Sequence, residues 1–222
     1  MKRPSFPVLP YWWRHWLGMS LMIVLISCQS NPPSEDWINL FNGTDLTGWK
    51  GDPNVWRSEN GYISGKAALV KQNTFLIHDT PYSDFVLEAK VLIINAGSFP
   101  NSGIQYRSFV TDAGLWKVSG YQADVGNDYW GSLDDEANRG ILVNPIPAAQ
   151  QVAKYGEWNQ YRITANGNRL EHEFNGVKSV DFVDNDQTNR RFEGLIALQY
   201  HAPGENFEVR YKDVRIKSLK NR

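Results

Sequence analysis

Between Gly120 and Gly140 the sequence reads GYQADVGNDYWGSLDDEANRG, and it concentrates groups that can do chemistry. Gln122 and Asp124 stand two apart on a predicted strand, so their side chains share one face. A predicted loop then adds Tyr129, Trp130, Asp134, Asp135, Glu136 and Arg139. Carboxylates exchange protons, a guanidinium holds oxygen atoms in a planar fork, and aromatic rings stack on sugars. Two more predicted strands repeat the pattern, with Gln105 and Arg107 on one, Gln199 and His201 on the other. Each pair spans roughly 6.5–7 Å along its strand. Three such pairs predict one concave polar face.

The elements that position these residues are short strands. Phe85, Leu87, Ala89 and Val91 alternate with Glu88 and Lys90, an apolar face opposite a polar one. Ile104 and Tyr106 alternate with Gln105 and Arg107. Asn166-Gly167 and Asn175-Gly176 separate alternating segments, as does Ser58-Glu59-Asn60-Gly61, and each signals a tight antiparallel turn. Phe207, Val209 and Tyr211 alternate until the phase shifts to Val214 and Ile216. Residues 126–156, rich in Gly and Pro, are expected to be one long functional loop. There is no long helical period and no repeat. The prediction is an all-β sandwich of two antiparallel sheets.

Residues 1–27 are read as a leader. Lys2, Arg3 and Arg14 precede the apolar run Leu21–Ile26, which ends at Ser27-Cys28. That run is short for a membrane span, and an uncleaved signal anchor stands as the alternative. The pattern resembles a lipoprotein signal in which Cys28 becomes the lipidated first residue. Residues 28–36 then form a tether, and residues 37–219 the domain. The expected place is the cell envelope, with the membrane met only through the lipid. Cys28 is the single cysteine, so disulfides and thiolate metal sites are not expected. Net charge is −1 for 222 residues and moves to −4 without the leader, so no basic footprint for nucleic acid remains. No cofactor and no metal site are expected, because the histidines and acids lack ligand spacing. His172 alternates with Leu170 and Phe174 and reads as a packed core or surface histidine.

Six segments in order resemble one family. They are LFNGTDLTGW (40–49), NSGIQYR (101–107), GYQ (120–122), DEANRG (135–140), GEWN (156–159) and LQYH (198–201), followed by VRIK (214–217). The family is the 3-keto-disaccharide hydrolase domain, and the resemblance covers about residues 37–219. It implies a concanavalin-like jelly roll acting on glycosides whose sugar is oxidised at carbon 3. Such a ketone acidifies the hydrogen on carbon 2, so a base can remove it and expel the aglycone from carbon 1. Water then adds, and the net result is hydrolysis. By that analogy His201 or Asp124 is the base, Arg107 faces the enolate oxygen, and Asp135 or Glu136 is the acid. Gln105, Tyr121, Gln122, Trp130, Arg139 and Gln199 are the expected sugar contacts, although Trp130 and Tyr129 could instead pin the loop. A sugar 3-dehydrogenase would have to supply the keto substrate. The chain departs from the family at Lys90, Asp124 and Asp134. Three rivals stand beside this reading: a non-catalytic lectin-like module, a conventional glycosidase with two carboxylates about 5–5.5 or 6.5–9.5 Å apart, and a structural envelope domain.

Overall fold

In the computed structural model the described residues are Met1, 36–94, 100–205 and 207–219. Cys28, the leader and most of the tether lie outside them. The domain is a sandwich of two antiparallel sheets, a concanavalin-like jelly roll. One sheet runs in the order β14 (Val177–Val183), β13 (Arg169–Phe174), β12 (Asn159–Asn166), β7 (Phe85–Ile94), β17 (Glu208–Ser218), β4 (Tyr62–Lys66) and β3 (Trp56–Glu59). Its eighth strand, β1 (Ile38–Asn39), also pairs with β17. The other sheet runs β11 (Gly140–Val143), β10 (Leu133–Glu136), β9 (Lys117–Val125), β8 (Ser102–Asp112), β15 (Leu195–Tyr200), β6 (Thr74–His78) and β2 (Trp49–Lys50). β5 (Leu69–Val70) and β16 (Gly204–Glu205) make a two-stranded ribbon.

The core lies between the sheets, where both alternations point inward. Phe85, Leu87, Ala89 and Val91 of β7 meet Ile104 and Tyr106 of β8 and Tyr121, Ala123 and Val125 of β9. The turns form where the sequence signals them. Asn60 and Gly61 join β3 to β4, and Asn175 and Gly176 join β13 to β14, all four with positive φ as this turn type requires. The phase shift in the last strand is a bulge between Lys212 and Arg215. It centres on Asp213, at φ 52°.

The expected loop 126–156 is not one. It holds a 3-10 turn at Asn127–Tyr129, β10, β11 and a short helix, α1 (Pro147–Val152). β10 escapes the sequence pattern because one of its inward positions is a carboxylate. Leu133 and Asp135 are buried, whereas Asp134 and Glu136 are only partly so.

A second bulge decides the shape of the site. β8 loses register with β9 between Tyr106 and Phe109, and Arg107 there adopts φ 46°. The Arg107 side chain is fully buried. It donates to the carbonyl oxygens of Ser83, Gly167 and Arg191 at 2.8, 2.7 and 3.0 Å and to Asp84 Oδ1 at 2.7 Å. These acceptors lie on loops of both sheets. Gly194 leaves room for the kink, since a Cβ there would fall 2.4 Å from the Arg107 carbonyl carbon. Beyond the bulge the β8–β9 hairpin curls over its own sheet. Phe75 N bonds to Trp116 O at 3.0 Å, and Val118 packs on Phe75, Ile77 and Ala197.

Removing one partner of a buried charge leaves the other uncompensated. Arg107→Ala is therefore expected to lower unfolding free energy by about 3–5 kcal/mol in a denaturant titration. Arg107→Lys should recover little, because a point charge cannot serve four acceptors in fixed directions. A loss below about 1 kcal/mol for Arg107→Ala would show that the bulge holds without its guanidinium.

Candidate active site

The curled sheet makes a trough, and its floor is polar. Gln105 stands opposite Gln122, Asp124 opposite Gly103, and Gln199 opposite Gly103 from the other side. Gly103 is required there, because a Cβ would sit 2.3 Å from Gln122 Cδ. Across that gap runs a directed chain of hydrogen bonds. Ser108 Oγ donates to Gln105 Oε1 at 2.9 Å, Gln105 Nε2 to Gln122 Oε1 at 2.6 Å, and Gln122 Nε2 to Asp124 Oδ1 at 2.6 Å. Ser132 Oγ completes the set by donating to Asp124 Oδ2 at 2.8 Å. β10 supplies Glu136, which accepts from Asn73 Nδ2 at 2.9 Å and Gln199 Nε2 at 3.1 Å.

What remains open is a cavity of about 330 Å³ lined by Asn101, Gln122, Asp124, Tyr129, Asp134, Glu136, Ile141 and His201. Three carboxyl groups and an imidazole share it. Burial raises Asp124 to about 7, despite the opposing bonds from Ser132 and Gln122. Burial also raises Asp134, helped by the Asp135 charge, and raises Glu136, helped by the Asp134 charge. Burial lowers His201 and so favours its neutral form. Burial thus works against charge on all four groups, favouring the protonated form of the acids and the neutral form of the imidazole. Asn101 Oδ1, Asp134 Oδ1 and Gln199 Oε1 are buried without a hydrogen-bond partner among the described residues. A donor-rich ligand would satisfy them.

The cavity gathers Gln122, Asp124, Glu136 and His201 of the sequence candidates, and Gln105 and Gln199 lie in the floor beneath them. The others are elsewhere. Arg107 does not line the cavity, because the bulge breaks the alternation that would have placed it there. Asp135 points inward, where Arg139 Nε donates to its Oδ2. Arg139 does not line the cavity either, and its Nη2 donates to Asp184 Oδ2 at 2.7 Å and Nη1 to Oδ1 at 3.1 Å. Tyr121 is a core residue whose hydroxyl donates to Asp184 at 2.5 Å. Trp130 is also core, with its ring stacked 5.1 Å from Phe174, while Tyr129 reaches the cavity. His172 is buried, with Nε2 2.9 Å from the Tyr106 hydroxyl, and burial lowers it to about 3. The sequence reading missed Asn101, Asn73 and Ser132 as site residues, and gave Asp134 no role although it counted it among the groups that can do chemistry. For Asp134 a signal existed, since it alternates with Glu136.

A second cavity, about 300 Å³, lies over the other sheet at Glu88, Lys90, Asp213 and Arg215. Its charges pair among themselves, Arg215 Nη2 with Glu88 at 2.6 Å and Lys90 with Asp213 at 2.8 Å. It offers paired surface charges where the first cavity offers buried unpaired acceptors.

The comparisons with known proteins agree with this geometry. Residues 36–217 match the model of the 3-keto-alpha-glucoside-1,2-lyase-like domain. A protein described as a candidate glycosyl hydrolase from Parabacteroides distasonis is 23% identical over 83% of this chain and 94% of its own, with TM-score 0.62. The carbohydrate-binding module CBM66 from Bacillus subtilis is 18% identical over 80% and 98%, with TM-score 0.59. A galectin-like protein of unknown function from Bacillus subtilis is 9% identical over 84% and 100%, with TM-score 0.58. No curated protein matches the chain. The chain belongs to the 3-keto-alpha-glucoside-1,2-lyase-like family, and its domain is of a carbohydrate-acting or carbohydrate-binding kind.

The raised Asp124 has a consequence for stability. In the unfolded chain the group releases its proton near 3.9, in the folded chain near 7. The folded state thus binds more protons between those values, and the contribution of Asp124 to stability falls as pH rises through that window. Asp124→Asn is expected to match the wild type at pH 4 and to exceed it by on the order of 2–4 kcal/mol at pH 8. The check is unfolding by urea at both pH values, and an equal difference at the two would refute the raised value.

Proposed function

We propose that this member of the family cleaves the glycosidic bond of 3-keto-glycosides or 3-keto-disaccharides by elimination followed by hydration. The observation that carries the reading is the coexistence of a neutral His201 and burial-raised acids around one cavity. His201 or Asp124 takes the proton from carbon 2, and the bonding pair moves onto the oxygen of the carbon 3 ketone. With Arg107 bound elsewhere, and His201 as the base, the carboxyl of Asp124, raised to about 7, donates a hydrogen bond to that oxygen. A carboxylic acid kept neutral by an apolar site can serve in this way. The enolate then re-forms the ketone, the bond from carbon 1 to the aglycone breaks, and a second acid protonates the leaving oxygen. Water adds to carbon 1 of the resulting enone and carbon 2 regains a proton, so the net change is hydrolysis.

The same reading takes the protein as an exported lipoprotein held in the cell envelope through Cys28. It requires a sugar 3-dehydrogenase upstream to make the ketone.

A conventional glycosidase has one feature in its favour. Asp134 stands opposite Gln122, so Asp134 and Asp124 are diagonal neighbours on adjacent strands, roughly 7–8 Å apart at Cα. Side chains on such neighbours can reach the carboxyl separation of inverting enzymes, about 6.5–9.5 Å.

The deciding experiment incubates the protein with a disaccharide and with its 3-keto derivative in deuterated water. Release of the second sugar from the keto form alone, with deuterium at carbon 2, is the expected result. His201→Ala and Asp124→Asn should then each lower kcat by about 10²-fold or more. Cleavage of the unoxidised sugar would favour the two-carboxylate mechanism, and binding without cleavage would leave a lectin-like module.

A further inference from the structure

We infer that the cavity beside Asp124 selects glycosides carrying a positively charged amine and rejects those carrying an acid. The inference rests on the reading above only in taking the ligand to be a sugar. Asp124, Asp134 and Glu136 line the cavity, and no lysine or arginine is among its lining residues. The two guanidiniums that the sequence places nearby are held elsewhere, Arg107 by Asp84 and three carbonyls, Arg139 by Asp135 and Asp184.

The donors of the floor are already directed at acceptors within it. The amide groups of Gln105, Gln122, Gln199 and Asn73 point at one another or at Asp124 and Glu136. On the floor and walls of the cavity, Asn101 Oδ1, Asp134 Oδ1 and Gln199 Oε1 are acceptors left without partners among the described residues. Asn101 lines the cavity and is only 6% exposed, so its free oxygen is built into the site. Among the described residues no three His, Cys, Asp or Glu side chains converge to hold one ion. The carboxyl groups instead ring a volume of ligand size.

A hydroxyl brings one proton to such a ring of acceptors, whereas an ammonium brings three and a charge. An ammonium in this cavity would offset the charge that burial now disfavours on all three acids. A carboxylate on the ligand would meet like charge in a partly desolvated site.

The test titrates the full-length protein, in detergent, with glucose, glucosamine and glucuronic acid into the millimolar range at neutral pH. Glucosamine is expected to bind at least about tenfold more tightly than glucose, with glucuronic acid undetected. High salt should narrow the gap between the first two. Asp134→Asn should narrow it as well, a ratio that a merely structural role for Asp134 would leave alone. Equal binding of glucose and glucosamine, or tighter binding of glucuronic acid, overturns the inference while the sugar-cleaving reading stands. Binding of none of the three also overturns the inference, and the sugar-cleaving reading then rests on the 3-keto disaccharide alone.

Discussion

A buried guanidinium must find acceptors in every direction it points, and Arg107 finds four. They come from the loops of both sheets, so one side chain ties together the end of the sandwich. To reach them its backbone leaves the strand conformation, and β8 breaks step with β9. The hairpin beyond the break can no longer continue flat. It folds back until Val118 rests on Phe75 and Ile77. The trough and its cavity follow from this one accommodation of charge.

The domain sorts its charges by the side of the sheet on which they fall. On the inner side, cations meet acids: Arg107 meets Asp84, and Arg139 meets Asp135 and Asp184. On the outer side, Asp124 and Glu136 accept from amides and a hydroxyl, and Asp134 Oδ1 has no partner among the described residues. β10 makes the division visible within four residues. Its inward acid is held by a nearby guanidinium, and its two outward acids are left with raised proton affinity. Separating partners in this way makes the inner pairs structural and the outer acids available for proton transfer.

Much of the fold was legible in the sequence because alternation and turn chemistry are local. The Asn-Gly turns, the apolar face of β7 and the phase shift of β17 all stand where the residues put them. The candidate site was legible only as far as strict period two holds. It holds for Gln122 and Asp124, and His201, just past the end of β15, also reaches the cavity with Gln199 beneath it. It fails two residues beyond Gln105, because a bulge at Arg107 reverses which face the side chain takes, and nothing in the tetrad Gln-Tyr-Arg-Ser announces a bulge. Trp130 and Tyr121 were misplaced for another reason. An aromatic ring with one polar atom suits a sugar face and a core equally, and only packing partners such as Phe174 and Asp184 separate the two. Asp135 hid β10 altogether, since an inward carboxylate looks like loop until its guanidinium is found.

The apolar cluster of Phe75, Ile77, Val118 and Ala197 continues the face that carries the floor, since Phe75 stands opposite Gln199 and Ala197 lies two residues before it. One sheet face therefore changes character along its length, from amides and acids that hold water to carbon that sheds it.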